Sequence, residues 1–186
     1  MKKLVLISIL ALAATAAFAQ PKFAHVRFSE LVQLMPEADQ ARATMAASSA
    51  EAQETYQAMV EEFNTKYQQY QQKAATWTAA IRESKEKELS DVQQRIQEFE
   101  QSVQAELQQQ QQQLMAPIYQ KAQDTVSELA KQGGYVYVFD ATSVLYLDPA
   151  QSDDLTAEAR KALGIADDRT IESLQQELAA AAQAKQ

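Results

Sequence analysis

The amino-acid sequence predicts an α+β fold, mostly α, in which a long antiparallel helical hairpin stands on a small β body. Three observations lead there. Only 3 of the 186 residues are glycine, so few turns can rely on positive φ and helices run long. Tyr56, Val60, Phe63, Tyr67, Tyr70, Ala74, Trp77 and Ile81 recur in alternating steps of four and three, the spacing of a heptad seam. Short runs rich in aromatic and β-branched residues flank this helical stretch and do not interrupt it.

Residues 1–19 carry Lys2 and Lys3 ahead of an apolar run, then small residues ending Ala17-Phe18-Ala19. This is the pattern of a cleavable signal peptide with an A-x-A site, so cleavage after Ala19 and export to the periplasm are expected. Its apolar part is too short for a comfortable span, and no later stretch approaches the ~20 apolar residues a spanning helix needs, so no stable membrane insertion is expected. Cysteine is absent, so stability must come from burial and assembly without disulfides. Losing the two leader lysines takes the formal charge from −8 to −10. Such acidity argues against nucleic acid, whose phosphates require clustered Lys and Arg.

FAHVRF, Phe23 to Phe28, reads as a first strand, and Pro36 as the opening residue of the first long helix. From there to Gly133 the chain holds 21 glutamines and no glycine, a composition that favours helix. Leu89, Val92, Ile96, Phe99 and Val103 resume the seam after a lapse, which places the hairpin tip within 76–88. Thr78 is the candidate N-cap of the returning helix. Gly133 and Gly134 end that helix, and YVYVFD (Tyr135–Asp140) and SVLYLD (Ser143–Asp148) then read as a strand hairpin. Tyr135, Tyr137 and Phe139 alternate with Val136 and Val138, so both faces of the first of these are apolar. Three short strands cannot cover both faces within one chain, and an oligomer is expected. Residues 153–165 suggest a short helix closed by Gly164. The tail, 166–186, is either one amphipathic helix on Ile171, Leu174 and Leu178 or low-complexity chain.

Little here suggests catalysis. His25 is the only histidine and has no cysteine beside it to complete a ligand set, so it is assigned to packing or an interchain contact. Asp140, Asp148, Asp153 and Asp154 fall at strand ends and before a helix, where turns and caps explain them better than a metal. No catalytic residue, metal or cofactor is therefore expected.

Signal peptide, KFAHVRFSELVQLMPEA, a glutamine-rich hairpin, and LMAPIYQKAQDTVSELAKQGGYVYVFDATSVLYLDPAQSDDLTAEARKALGI together resemble the Skp/OmpH family of periplasmic chaperones for outer-membrane proteins. The resemblance reaches to about Ile165. It implies a homotrimer whose β body, residues 20–36 and 133–165, is formed by trimerisation, with 37–132 as the coiled-coil arm. The body residues would be Phe23, Val26 and Phe28, then Tyr135, Val136, Tyr137, Val138 and Phe139, then Leu145 and Leu147. The partners it implies are unfolded outer-membrane proteins, held without ATP in a cavity between three arms. The same comparison moves the tip to 76–81. Client contacts are assigned to apolar residues off the seam or at its ends: Met45, Met59, Trp77, Met115 and Tyr119, methionine being adaptable. Lipopolysaccharide binding is not carried over, because residues 37–132 hold 15 acidic and 9 basic side chains. The alternative reading is a coiled-coil envelope spacer with no chaperone activity.

One stretch remains, LQQQQQQLMAPIYQK from Leu107 to Lys121. Counted from Ile96, the steps to Phe99, Val103, Leu107, Gln111, Leu114, Ile118, Ala122, Val126 and Leu129 lengthen the repeat toward ~3.67 residues, which relaxes left-handed supercoiling. Pro117 adds a missing N–H and a crowded carbonyl at Gln113. An arm kink at Pro117 is expected where the arm leaves the body.

Overall fold

The computed structural model describes residues 21–183; the expected leader lies outside them. In chain order it comprises β1 (Lys22–Val26), α1 (Phe28–Leu34), α2 (Pro36–Lys73), a 3-10 turn (Ala74–Thr76), α3 (Ala79–Gly133), β2 (Tyr135–Asp140), β3 (Ser152–Asp154), α4 (Thr156–Ala162) and α5 (Ile171–Gln183). At 1.5 Å per residue, α2 and α3 reach ~57 and ~82 Å.

The sheet has the order β2-β1-β3, with both neighbours parallel to β1. Parallel neighbours need a crossover, and between β1 and β2 the crossover is the whole arm. Phe23 pairs with Tyr137, Ala24 with Val138, His25 with Phe139 and Val26 with Asp140, after a register shift between Lys22 and Phe23. Ala24 and Val26 therefore point one way, into the core, while Phe23 and His25 point the other.

That core joins sheet, arm root and C-terminal helices. Leu31, Leu34 and Met35 meet Ala38 of α2, Ile118, Ala122 and Val126 of α3, and Leu155, Ala159 and Leu174 beyond the sheet. Alanine at 38, 41 and 122 lets the two arm helices approach closely at the root. Pro36 opens α2 after Met35 in extended conformation (ψ 141°), as the residue before a proline favours.

The tip falls at Ala74–Thr78. Thr78 is the N-cap of α3, its Oγ1 accepting from Ile81 N at 3.3 Å. At the other end Gly134 takes φ +68°, and its N–H bonds the Lys131 carbonyl at 3.2 Å. Gly133 serves a different purpose from the one its position suggests: it is helical, and a Cβ there would overlap the Tyr135 ring.

Several expectations are corrected. The first strand ends at Val26, not Phe28, because Arg27 N bonds Thr156 Oγ1 (3.2 Å) and Arg27 O accepts from Leu31 N to start α1. The strand hairpin 135–148 does not form within the chain. Asp140 Oδ1 accepts from Thr142 N (3.0 Å) and Ser143 N bonds Asp140 O, turning the chain off the β2 edge. Ser143–Asp148 pairs with no strand among the described residues, and Leu145 and Tyr146 are 108% and 79% exposed. The third strand is instead Ser152–Asp154, whose polar sequence hides it from a hydrophobicity pattern; His25 O accepting from Leu155 N holds it to β1. The tail is a docked helix, α5, with Leu174 buried.

Candidate functional surfaces

The arm is one candidate surface. Two helices can cover each other along one stripe only, and its packing is accordingly shallow: between Ala41 and Ile118, Val92 alone among the described residues is fully buried. The aromatic seam residues remain partly open. Phe63 stacks on Tyr67 at 6.0 Å, yet Tyr67 and Ile81 stay exposed. Opposite Val103 and Leu107, α2 offers mostly small or polar side chains, among them Ser48, Ser49, Ala52 and Thr55, with Tyr56 the one large ring, and grooves run along both sides of the arm. A third sits at the root between Ala41, Leu114, Pro117 and Ile118. Through Pro117 α3 remains helical.

Charged pairs also join the two helices. Lys66 bridges to Glu88, which also accepts from Lys85 Nζ at 2.8 Å, and the Glu88 carboxyl is pulled down to about 2, chiefly by Lys66 and then by Lys85. Arg95 Nη2 lies 3.1 Å from both Glu62 oxygens. At the root Lys121 bonds Glu37 and lowers that carboxyl below its usual range. Sequence reading missed these pairs, since partners 22 to 84 residues apart follow only once the tip is placed.

The five residues assigned to client contact do not converge. Trp77 lies at the tip, edge-on to Tyr70 at 5.9 Å. Met45 and Met59 are half-buried at separate levels of α2. Met115 packs against the core, and Tyr119, half exposed, meets Phe28 at 6.3 Å. The arm thus presents dispersed apolar contacts along its length, not one pocket.

The outer face of the sheet is the second candidate surface. Phe23, Tyr137 and Phe139 form an aromatic ladder, with Phe23 and Tyr137 stacked at 6.3 Å and 9°. Tyr137 is 60% exposed and Val136 also lies open, whereas Val138 packs inward with Val26. Phe28 and Tyr135 pack against the core from its edge. Leu147 is half-buried on the loop that also exposes Leu145. Contiguous apolar exposure of this kind marks an interaction surface.

The residues with chemical potential are tied down. His25 Nδ1 is 2.9 Å from Ser152 Oγ, and its Nε2 is 3.9 Å from Asp154 Oδ2, which links β1 to β3. Asp148 Oδ1 accepts from Ala150 N and Asp154 Oδ1 from Thr156 N, both at 2.9 Å, and Asp153 Oδ2 from Tyr135 OH at 2.7 Å. These carboxylates close turns, start a helix and brace a strand. No group of three or more His or carboxylate side chains placed to hold a metal occurs among the described residues.

A long two-helix arm inserted as the crossover of a three-stranded parallel sheet defines an arm-bearing α+β protein whose surfaces suit binding. The chain matches the outer membrane protein (OmpH-like) family over residues 22–163, and it belongs to that family. It is 30% identical over 152 residues to the chaperone protein Skp of Yersinia enterocolitica, covering 82% of this chain and 92% of that protein. Its fold is similar to that of a putative OmpH-like outer membrane chaperone from Caulobacter crescentus, with a TM-score of 0.69 at 16% identity, covering 82% of this chain and 92% of the other. No helix among the described residues is long and apolar enough to cross a membrane.

Proposed function

We propose that this chain is an ATP-independent periplasmic holdase chaperone that binds unfolded outer-membrane proteins between the arms of a homotrimer. The observation that carries this reading is the arm itself: two helices, ~57 and ~82 Å long, whose apolar seam is only partly covered. Shallow grooves and scattered Met45, Met59, Trp77, Met115 and Tyr119 suit many weak contacts with a variable, unfolded client. Three arms acting together would convert weak contacts into retention through effective concentration. The exposed aromatic ladder and Leu145 supply the surface on which three chains would meet. Release needs no nucleotide, because a client that inserts in the membrane is removed from the binding equilibrium by its own stability. Membership of the OmpH-like family and likeness to a protein named a chaperone support the same role. The net acidity of the arm speaks against lipopolysaccharide as a partner.

The test is refolding of a denatured outer-membrane β-barrel. At equimolar trimer, light scattering from aggregation should fall by more than half and the barrel should stay competent to insert. Aggregation unchanged by the purified protein would refute the holdase reading and leave an envelope spacer as the better account.

A further inference from the structure

The family match ends at residue 163, yet the chain continues into an ordered helix packed at the arm root. We propose that residues 166–183 form a strap that fixes the angle at which the arm leaves the body, clamped by Arg169 and Leu174. The strap is held by both apolar and polar contacts. Leu174 is 4% exposed in the shared core, and Ile171 packs beside it. Thr170 and Ser173 cap α5 reciprocally, each backbone N donating to the other's hydroxyl at 3.0 Å. A 13-residue helix is marginal alone, so its order comes from docking.

The clamp is the guanidinium of Arg169. One arm of its fork donates to Asp39 Oδ1 at 2.8 Å and the other to Glu177 Oε1 at 2.5 Å. Asp39 lies in the first turn of α2, so this contact pulls on the root of the arm. The backbone of the strap is gripped from the body side. Arg160 Nη2 donates to the carbonyls of Ala166 (2.8 Å) and Arg169 (2.5 Å), while its Nη1 lies 3.4 Å from Glu30 on α1. The Arg160 and Arg169 side chains are 14% and 17% exposed, against 53% for Arg95 on the arm. Shielded, multiply bonded guanidinium groups hold geometry better than exposed ion pairs do.

Leverage makes the clamp consequential. The residues that α2 itself buries at the root are alanines, Ala38 and Ala41, while the longer core side chains there come from α1 and α3, so α2 has little of its own to fix its angle. A 10° rotation there would move the tip of a ~57 Å helix by ~10 Å. The strap therefore sets tip spacing, and with it the room between arms, whatever the arms hold.

The absence of cysteine permits clean labelling. Spin labels at Ser84→Cys, beyond the tip, and Gln151→Cys, on the body, report the arm angle within one chain when labelled chains are diluted with unlabelled ones. Arg169→Ala in the full chain should broaden the tip-to-body distance distribution at least about twofold and speed amide exchange in residues 37–44 about tenfold. A chain ending at Ile165 should do the same. An unchanged distribution in Arg169→Ala, with helical content retained, overturns the proposal. If the shortened chain fails to fold, Arg169→Ala and Asp39→Asn decide alone. The readout needs no client, so a failed refolding assay and a failed strap are separate results.

Discussion

At the residue scale, individual charges bridge the two arm helices, and the most perturbed is Glu88. Lys66 from the opposite helix and Lys85 from its own hold the carboxyl at about 2. A carboxylate with a depressed folded value stabilises the hairpin fully above its ordinary 4.5, and that contribution fades as pH falls from 4.5 toward 2. Because these groups are open to solvent, the effect is local to the tip. Carboxyl NMR should therefore give Glu88 a midpoint near the bottom of this window, and Lys66→Ala should move it up toward 4.5. A Glu88 that titrates at 4.5 in the unaltered chain would contradict the cross-arm pair. Some residues were legible in the sequence and some were not, for physical reasons. Thr78 was readable as a cap because capping is local chemistry. The clearance that Gly133 gives the Tyr135 ring was not, because it depends on where a side chain two residues on turns back.

At the element scale, the long helices were the legible part, because a 3.5-residue stripe persists over many turns and glycine is scarce. The sheet was read only in part. Tyr135–Asp140 was recognised from its apolar alternation, but Ser152–Asp154 is a strand through its pairing to β1 and its bonds to His25. Conversely, Ser143–Asp148 has strand composition and no partner edge among the described residues. Pro117 belongs to this scale too. It sits within a continuous α3, one residue before the buried Ile118, where the arm enters the core. A proline in a helix interior costs ~3 kcal/mol relative to alanine, so Pro117→Ala should stabilise the chain, by about 1 to 3 kcal/mol in denaturant midpoint analysis. If the proline also bends the arm, small-angle scattering should report a changed arm splay. An unchanged scattering profile would reduce Pro117 to a tolerated interruption.

At the scale of the whole molecule, the two open surfaces have opposite characters and so call for different partners. The arm spreads small apolar contacts over tens of ångströms, which suits a client with no fixed shape. The outer sheet face concentrates Phe23, Tyr137 and Phe139 in one ladder beside a loop whose Leu145 is fully exposed among the described residues, which suits a fixed neighbour. Leu145 discriminates cleanly because its replacement cannot disturb packing it does not have. Burying a leucine contributes about 2 kcal/mol, and a proposed trimer would bury three, so Leu145→Asp removes ~6 kcal/mol from assembly before any cost of desolvating the charges. Light scattering at micromolar concentration should then find the mass of one chain in place of three, with helical circular dichroism unchanged. The separated chain should also lose most of its ability to suppress barrel aggregation, since avidity vanishes with assembly while each arm stays intact. A Leu145→Asp protein that keeps the mass of three chains would place the interface elsewhere. One that becomes a single chain yet protects clients fully would show that a lone arm suffices, and retention would then rest on the grooves beside Phe99, Val103 and Leu107.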